Sequence, residues 1–314
     1  MDFFGDLKII VTNELTRLGI QYDSMADVQD LLLLICNHKF KNITPIKRKV
    51  HTSAEFDAEL LNLTPVQQAA ALAIKQKFNQ GDDVSGHLSR GSGTDKAGDV
   101  DQLLADWGIY HLHISNHKNK PNDNFFARTG PVMFAHITDT DAYFIDIHPH
   151  GGWTRQKLLE IVERSWPHLY ASSRCTGVTG VSMVPTDADI KTLRGSAKKN
   201  SFGSKSTKRP SGSVNAVLQV GNSFLMPPGG GLATDGTPFV NVFHSNKMLH
   251  LVQELERWAT QNALKLKSDI STKFGVPVAD LDFELVPLAS GFGIREKNTG
   301  LMCLNRGATN DQTK

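Results

Sequence analysis

The chain has 314 residues, 39% of them hydrophobic and 21% charged, and 34 Lys and Arg against 32 Asp and Glu leave a formal net charge of +2. This composition excludes a disordered, collagen-like or disulfide-scaffold chain, and the near-neutral balance excludes nucleic-acid binding through bulk charge, so a basic surface has to be local. The length allows two domains of ordinary size, ~100–200 residues each.

The first residues, Met1-Asp2-Phe3-Phe4-Gly5-Asp6, are acidic and lack the basic flank of a signal peptide. Residues 1–85 read as a helical N-terminal region. Leu7, Ile10, Leu15 and Leu18 approximate a helical stripe, and Ser24 is a cap for a second helix carrying Leu31, Leu32 and Ile35. The apolar run Leu31 to Cys36 is far short of the ~20 residues a membrane helix needs. Thr64-Pro65-Val66-Gln67 combines an N-cap, a first-turn proline and a glutamine placed to close a capping box. Ala69, Ala70, Ala73 and Ile74 continue that helix. The region carries no evident chemistry, so core packing or a protein partner is its expected use.

Gly81-Asp82-Asp83 and Gly91-Ser92-Gly93-Thr94 mark a linker. Gly91-Ser92-Gly93 lacks the Gly-Lys-Ser/Thr that would make it a phosphate loop. Patterning then changes from a helical to a strand period near residue 108. Residues 86–189 read as a central α+β domain. Ile109 to Ile114 alternates, with Tyr110, Leu112 and Ile114 toward a core. Pro131 to Ile137 and Ala142 to His148 form a hairpin around Thr138-Asp139-Thr140-Asp141. Thr154 to Trp166 is an amphipathic helix through Leu158, Leu159, Ile161 and Val162, stopped by Pro167.

From Ile190 to Thr234 there is no acidic residue. Residues 190–213 read as a basic, flexible loop in which Lys198, Lys199, Lys205, Lys208 and Arg209 are nucleic-acid contacts. A smaller α/β C-terminal part covers 214–306. It holds a strand at Val214–Val220, a turn at Pro227-Pro228-Gly229-Gly230-Gly231, and a long helix from about Asn246 through Leu249, Val252, Leu255, Trp258 and Ala259. Late strands follow at Asp282–Leu288 and Gly300–Leu304. The pentapeptide Pro227–Gly231 reads as backbone punctuation. Residues 307–314 read as a disordered tail. The expected class is α+β, with a central antiparallel sheet and a packed helix. Cys36, Cys175 and Cys303 are odd in number and form no CxxC, which fits free thiols and a cytoplasmic protein without membrane contact.

Of the chain's 12 histidines, His111, His113, His117, His136, His148 and His150 crowd one stretch. Histidine titrates near neutral pH and is the commonest metal ligand. Side chains two apart on a strand share a face, so His111 and His113 project together, as do Asp146 and His148. One reading is metal-independent phosphodiester cleavage. His111, His113 and His148 serve as acid and base, and Arg128 clamps the phosphate with its planar fork. A second is a metal-dependent hydrolase in which His111, His113, Asp146, His148 and His150 hold zinc or manganese. A third is a non-enzymatic nucleic-acid-binding or regulatory protein with structural histidines.

Arg128-Thr129, the strand Val132 to Ile137, the tight turn and Ala142 to His148 resemble the hairpin core of RelE/HigB-type toxin ribonucleases. In that family an arginine precedes paired strands, and basic or histidine residues follow the later one. The resemblance implies a toxin-like ribonuclease without a cofactor, with RNA as its substrate and a role in toxin–antitoxin systems or phage defence.

Overall fold

The computed structural model describes residues 1–89, 101–118, 120–128, 130–149, 154–180, 186, 217–233, 236–289 and 291–307, with residues 305–307 described by backbone alone. His150, the lysines and arginine expected in the 190–213 loop, and all but the first residue of the 307–314 tail lie outside the described residues. In chain order the elements are α1 (Phe3–Arg17), α2 (Val28–Lys41), β1 (Lys49–Thr52), α3 (Ala54–Asn62), α4 (Pro65–Gln80), α5 (Gln102–Trp107), β2 (Ile109–His113), β3 (Pro131–Ile137), β4 (Asp141–Pro149), α6 (Arg155–Ser165), β5 (Leu218–Val220), β6 (Ser223–Leu225), α7 (Phe239–Phe274), β7 (Phe283–Leu288), β8 (Gly291–Glu296) and β9 (Met302–Gly307). The class is α+β.

Contacts divide the chain into two compact units, Met1–Cys36 with Asn241–Lys314, and Asn37–Val240. This grouping cuts across the linear boundaries read from the sequence. In the first unit, Asp2 caps α1 by accepting from the Gly5 amide. The stripe of α1, Phe3, Leu7, Val11 and Leu15, is buried with Val252 and Leu255 of α7 and with Phe283, Leu285 and Ile294 of an antiparallel β7-β8-β9 sheet. An apolar stripe goes to whatever surface completes its burial, at ~1.5–3 kcal/mol per large side chain, and here that surface is distant in the chain.

The second unit is built on a four-stranded sheet ordered β1-β4-β3-β2. The expected hairpin is β3–β4, closed where the Thr138 amide donates to the Asp141 carbonyl at 2.9 Å. One face packs Phe56 of α3 and Ile74 and Phe78 of α4 on Leu112, Met133, Ala135 and Phe144. Thr64 and Gln67 form the full capping box at the start of α4. The other face packs Leu103 and Trp107 of α5 and Leu158, Leu159 and Val162 of α6 on Ile109, Val132, Phe134 and Ile145. Thr154 caps α6, accepting from the Lys157 amide at 3.2 Å. β1 runs parallel to β4 and sits at one edge, and β2 is the other edge. No helix among the described residues is long and apolar enough to cross a membrane.

Candidate functional site

The site grows from α5 and β2. Asp101 precedes α5, and its Oδ1 accepts from the Leu103 amide at 2.8 Å, which makes it the helix N-cap. Gly108 ends the helix in the left-handed conformation at φ 66°, so the chain reverses directly into β2. That reversal brings the second Asp101 oxygen to His111, with Oδ2 2.5 Å from Nδ1. The proton on Nδ1 therefore points at a carboxylate. Beside this dyad lies a small cleft lined by Lys41, Leu88, Ser89, Asp101, Leu104, Tyr110 and His111. Tyr110 donates its phenol to the Phe40 carbonyl at 2.9 Å, which ties the end of α2 and the adjoining Lys41 to β2. Burial pushes the Tyr110 hydroxyl up to about 12, so it stays a donor. Lys41 itself is buried.

Sheet register decides which of the expected residues meet. Val132 is opposite both His113 and His148, and Phe134 is opposite both His111 and Asp146. A bulge at Phe134/Ala135 leaves Ile145 as an extra residue in β4 and turns Asp146 and His148 onto the face of His111 and His113. The expectation that the pairs share faces holds. The expectation of one cleft does not, because two strand spacings separate them by ~10 Å and the intervening Val132 and Phe134 are fully buried. His111 belongs to the β2 edge and His148 to the β4 side.

His113 is buried at 2% exposure, so it is not a surface acid or base. Its ring lies 5.9 Å from that of His111, and its carbonyl accepts from His87 Nδ1 at 3.1 Å. His87 in turn takes a bond from the Lys77 ammonium at 3.1 Å on Nε2. Burial, helped by Lys77, holds His87 down at about 4, so this linker of α4 to β2 stays neutral.

On the β4 side, fully buried Asp146 accepts from the Ile147 amide at 2.9 Å. Its Oδ2 lies 2.7 Å from His148 Nε2 and 3.0 Å from the Lys157 ammonium. Lys157 also sits 3.1 Å from His148 Nε2. One imidazole nitrogen cannot donate and accept at once. The shorter contact, to a carboxylate, makes Nε2 the donor, and Lys157 and His148 then share Asp146. Among the described residues no group of three or more His, Cys, Asp or Glu is placed to hold a metal.

Arg128 is exposed in the segment entering β3 and makes no ion pair or hydrogen bond among the described residues, so nothing joins it to the histidines. Lys41, Asp101 and Lys157 were not evident as site residues. Asp101 left a readable signal, an Asp before the apolar positions Leu103, Leu104 and Trp107. Lys41 and Lys157 left none, since nothing local sets a surface lysine apart from a buried one. No protein-family model matches the chain, and no curated protein or solved structure matches it either.

Proposed function

We propose that the chain is a metal-independent ribonuclease acting in the Lys41–Asp101–His111 cleft. The observation that carries the reading is the 2.5 Å pairing of His111 with Asp101 on the wall of a cleft that Lys41 also lines. A carboxylate-held imidazole and a cation supply the base and the charge stabilisation that cleavage through the 2′-hydroxyl uses. His111 Nε2 takes the proton of the 2′-hydroxyl. The 2′-oxygen attacks phosphorus and the P–O5′ bond breaks. The products are a 2′,3′-cyclic phosphate and a 5′-hydroxyl, whose proton comes from water. Lys41 offsets the charge that builds on the non-bridging oxygens. Proton transfer at His111 is worth ~10²–10⁴ in rate. In this reading Lys41 replaces Arg128 as the clamp, and His113 is structural.

The experiment is RNA cleavage by the wild-type chain, His111→Ala and Lys41→Met, each checked for folding by thermal melting. Methionine keeps the apolar stem of Lys41 in place. The expected result is cleavage that survives a chelator and falls at least ~10²-fold in His111→Ala. Absence of cleavage by the wild-type chain, loss of cleavage in chelator, or a fully active His111→Ala would overturn the reading.

A further inference from the structure

Outside the cleft, the chain between β2 and β3 carries exposed cations that have no partners among the described residues. Its exposed positions include Lys118, Lys120 and Arg128, and none of the three makes an ion pair or hydrogen bond among the described residues. Elsewhere arginines are used. Arg17, Arg164, Arg174, Arg257 and Arg295 each pair with a glutamate. Arg48 donates to backbone carbonyls, and Arg155 pairs with Asp106. Arg128 is the one described guanidinium left unbonded. The segment's only carboxylate, Asp123, accepts from the Phe125 amide at 3.1 Å.

These cations stand on a held frame. The Ala127 amide donates to the His117 carbonyl and the Phe126 amide to the Gly86 carbonyl, both at 2.8 Å. The Phe126 ring stacks on buried His87 at 4.4 Å, with the Lys77 ammonium 5.0 Å from its centroid. A Cβ on Gly86 would come within 2.8 Å of Phe126, so glycine is what lets the ring seat. A held backbone reduces the freedom the segment loses on binding. The segment leaves β2 just after His113 and enters β3 at Pro131, opposite Pro149 of β4 and one pair from His148.

We infer that this β2–β3 segment is a backbone-binding surface for single-stranded polynucleotide, with Lys118, Lys120 and Arg128 as its phosphate contacts. The inference rests on the ribonuclease reading only for its choice of nucleic acid over an acidic protein. The planar fork of Arg128 suits a phosphate, which it can hold through two parallel bonds. Sequence is not read by such contacts, so binding is non-specific and salt-dependent.

The test measures binding of the full chain to a short single-stranded DNA, which has no 2′-hydroxyl to cleave, across a range of salt. The triple variant Lys118→Ser, Lys120→Ser, Arg128→Ser is compared with the parent. A control pair on α7, Lys265→Ser with Lys273→Ser, removes exposed charge elsewhere. Each phosphate contact contributes ~0.7 to the slope of log K against log salt for a single strand. The triple variant should therefore bind with a slope shallower by about 2, while the control keeps the parent's slope. All three positions are exposed, so the melting midpoint should not move. No DNA binding by the parent, an unchanged slope in the triple variant, or equal competition by polyglutamate would overturn the inference. A chain that binds DNA through these residues but cleaves no RNA would refute the ribonuclease reading and leave this surface standing. Cleavage of RNA with an unchanged slope would do the reverse.

Discussion

Asp101 performs two tasks with two oxygens, and substitutions can separate them. Oδ1 caps α5 at 2.8 Å from the Leu103 amide, and Oδ2 holds His111 Nδ1 at 2.5 Å. Asparagine keeps a carbonyl oxygen for the cap, and Asn and Asp are equally good N-caps. It places an amide NH₂ where Oδ2 was, so His111 Nδ1 must become the acceptor and its proton moves to Nε2. The nitrogen meant to take the substrate proton is then already protonated. Asp101→Asn should therefore melt within ~0.5 kcal/mol of the wild type and cleave RNA ~10²–10⁴-fold more slowly. Asp101→Ala loses both interactions and should cost a further ~1 kcal/mol of stability from the missing cap, with the same catalytic defect. Asp101→Ser keeps the cap alone and should track Asp101→Asn. The assays are thermal melting and the initial rate on a short RNA. Equal cleavage by Asp101→Asn and the wild type, with His111→Ala inactive, would refute the assignment of Asp101 as the group that sets the His111 tautomer. A melting loss in Asp101→Asn as large as in Asp101→Ala would refute the separation of roles.

Gly229→Ala should destabilise the chain by about 2 kcal/mol, lowering the melting midpoint by roughly 4–8 °C. A Cβ there would lie 1.9 Å from the Ala105 carbonyl oxygen, and the Gly229 amide donates to the Asp106 carbonyl at 3.0 Å; a melting point equal to the wild type's would contradict this. Stability should fall as pH drops from about 6.5 toward 4. Burial lowers His87 and His136 to about 4 from an ordinary 6.5, so the unfolded chain binds protons in that window while the folded chain does not. The stabilisation is complete above 6.5 and lost on the acid side. Denaturant titrations across that range should show the decline in the wild type and a shallower one in His136→Gln. A flat profile would show that neither histidine is kept neutral by folding. Asp146→Ala should cost about 1–3 kcal/mol by removing the acceptor shared by the Ile147 amide, His148 and Lys157. It should leave the His111 cleft active, and loss of cleavage at unchanged stability would instead move the reacting site to His148.

What the sequence determined by itself was local. The Thr64–Gln67 capping box, the Thr154 cap of α6, the Thr138–Asp141 turn and the stripe of α1 follow from dihedral limits, short-range hydrogen bonds and periodicity. Each is legible within a few residues of chain. The shared faces of His111 with His113 and of Asp146 with His148 belong to the same class, because strand side chains alternate. Tertiary structure decided everything that depends on which distant segments pair. The short strand β1 becomes visible only once Lys49 meets Asp141 of β4. α7 begins at Phe239, ahead of the stripe that announces it, and α1 finds its cover in the C-terminal strands because burial area carries no address in the sequence. The site divided for that reason. Whether two histidines converge is set by strand order and by one bulge, and these place the buried Val132 between His113 and His148. The same register puts His111 on the edge strand, where Asp101, unremarkable in the chain, gives it a carboxylate and Lys41 lines the adjoining cleft.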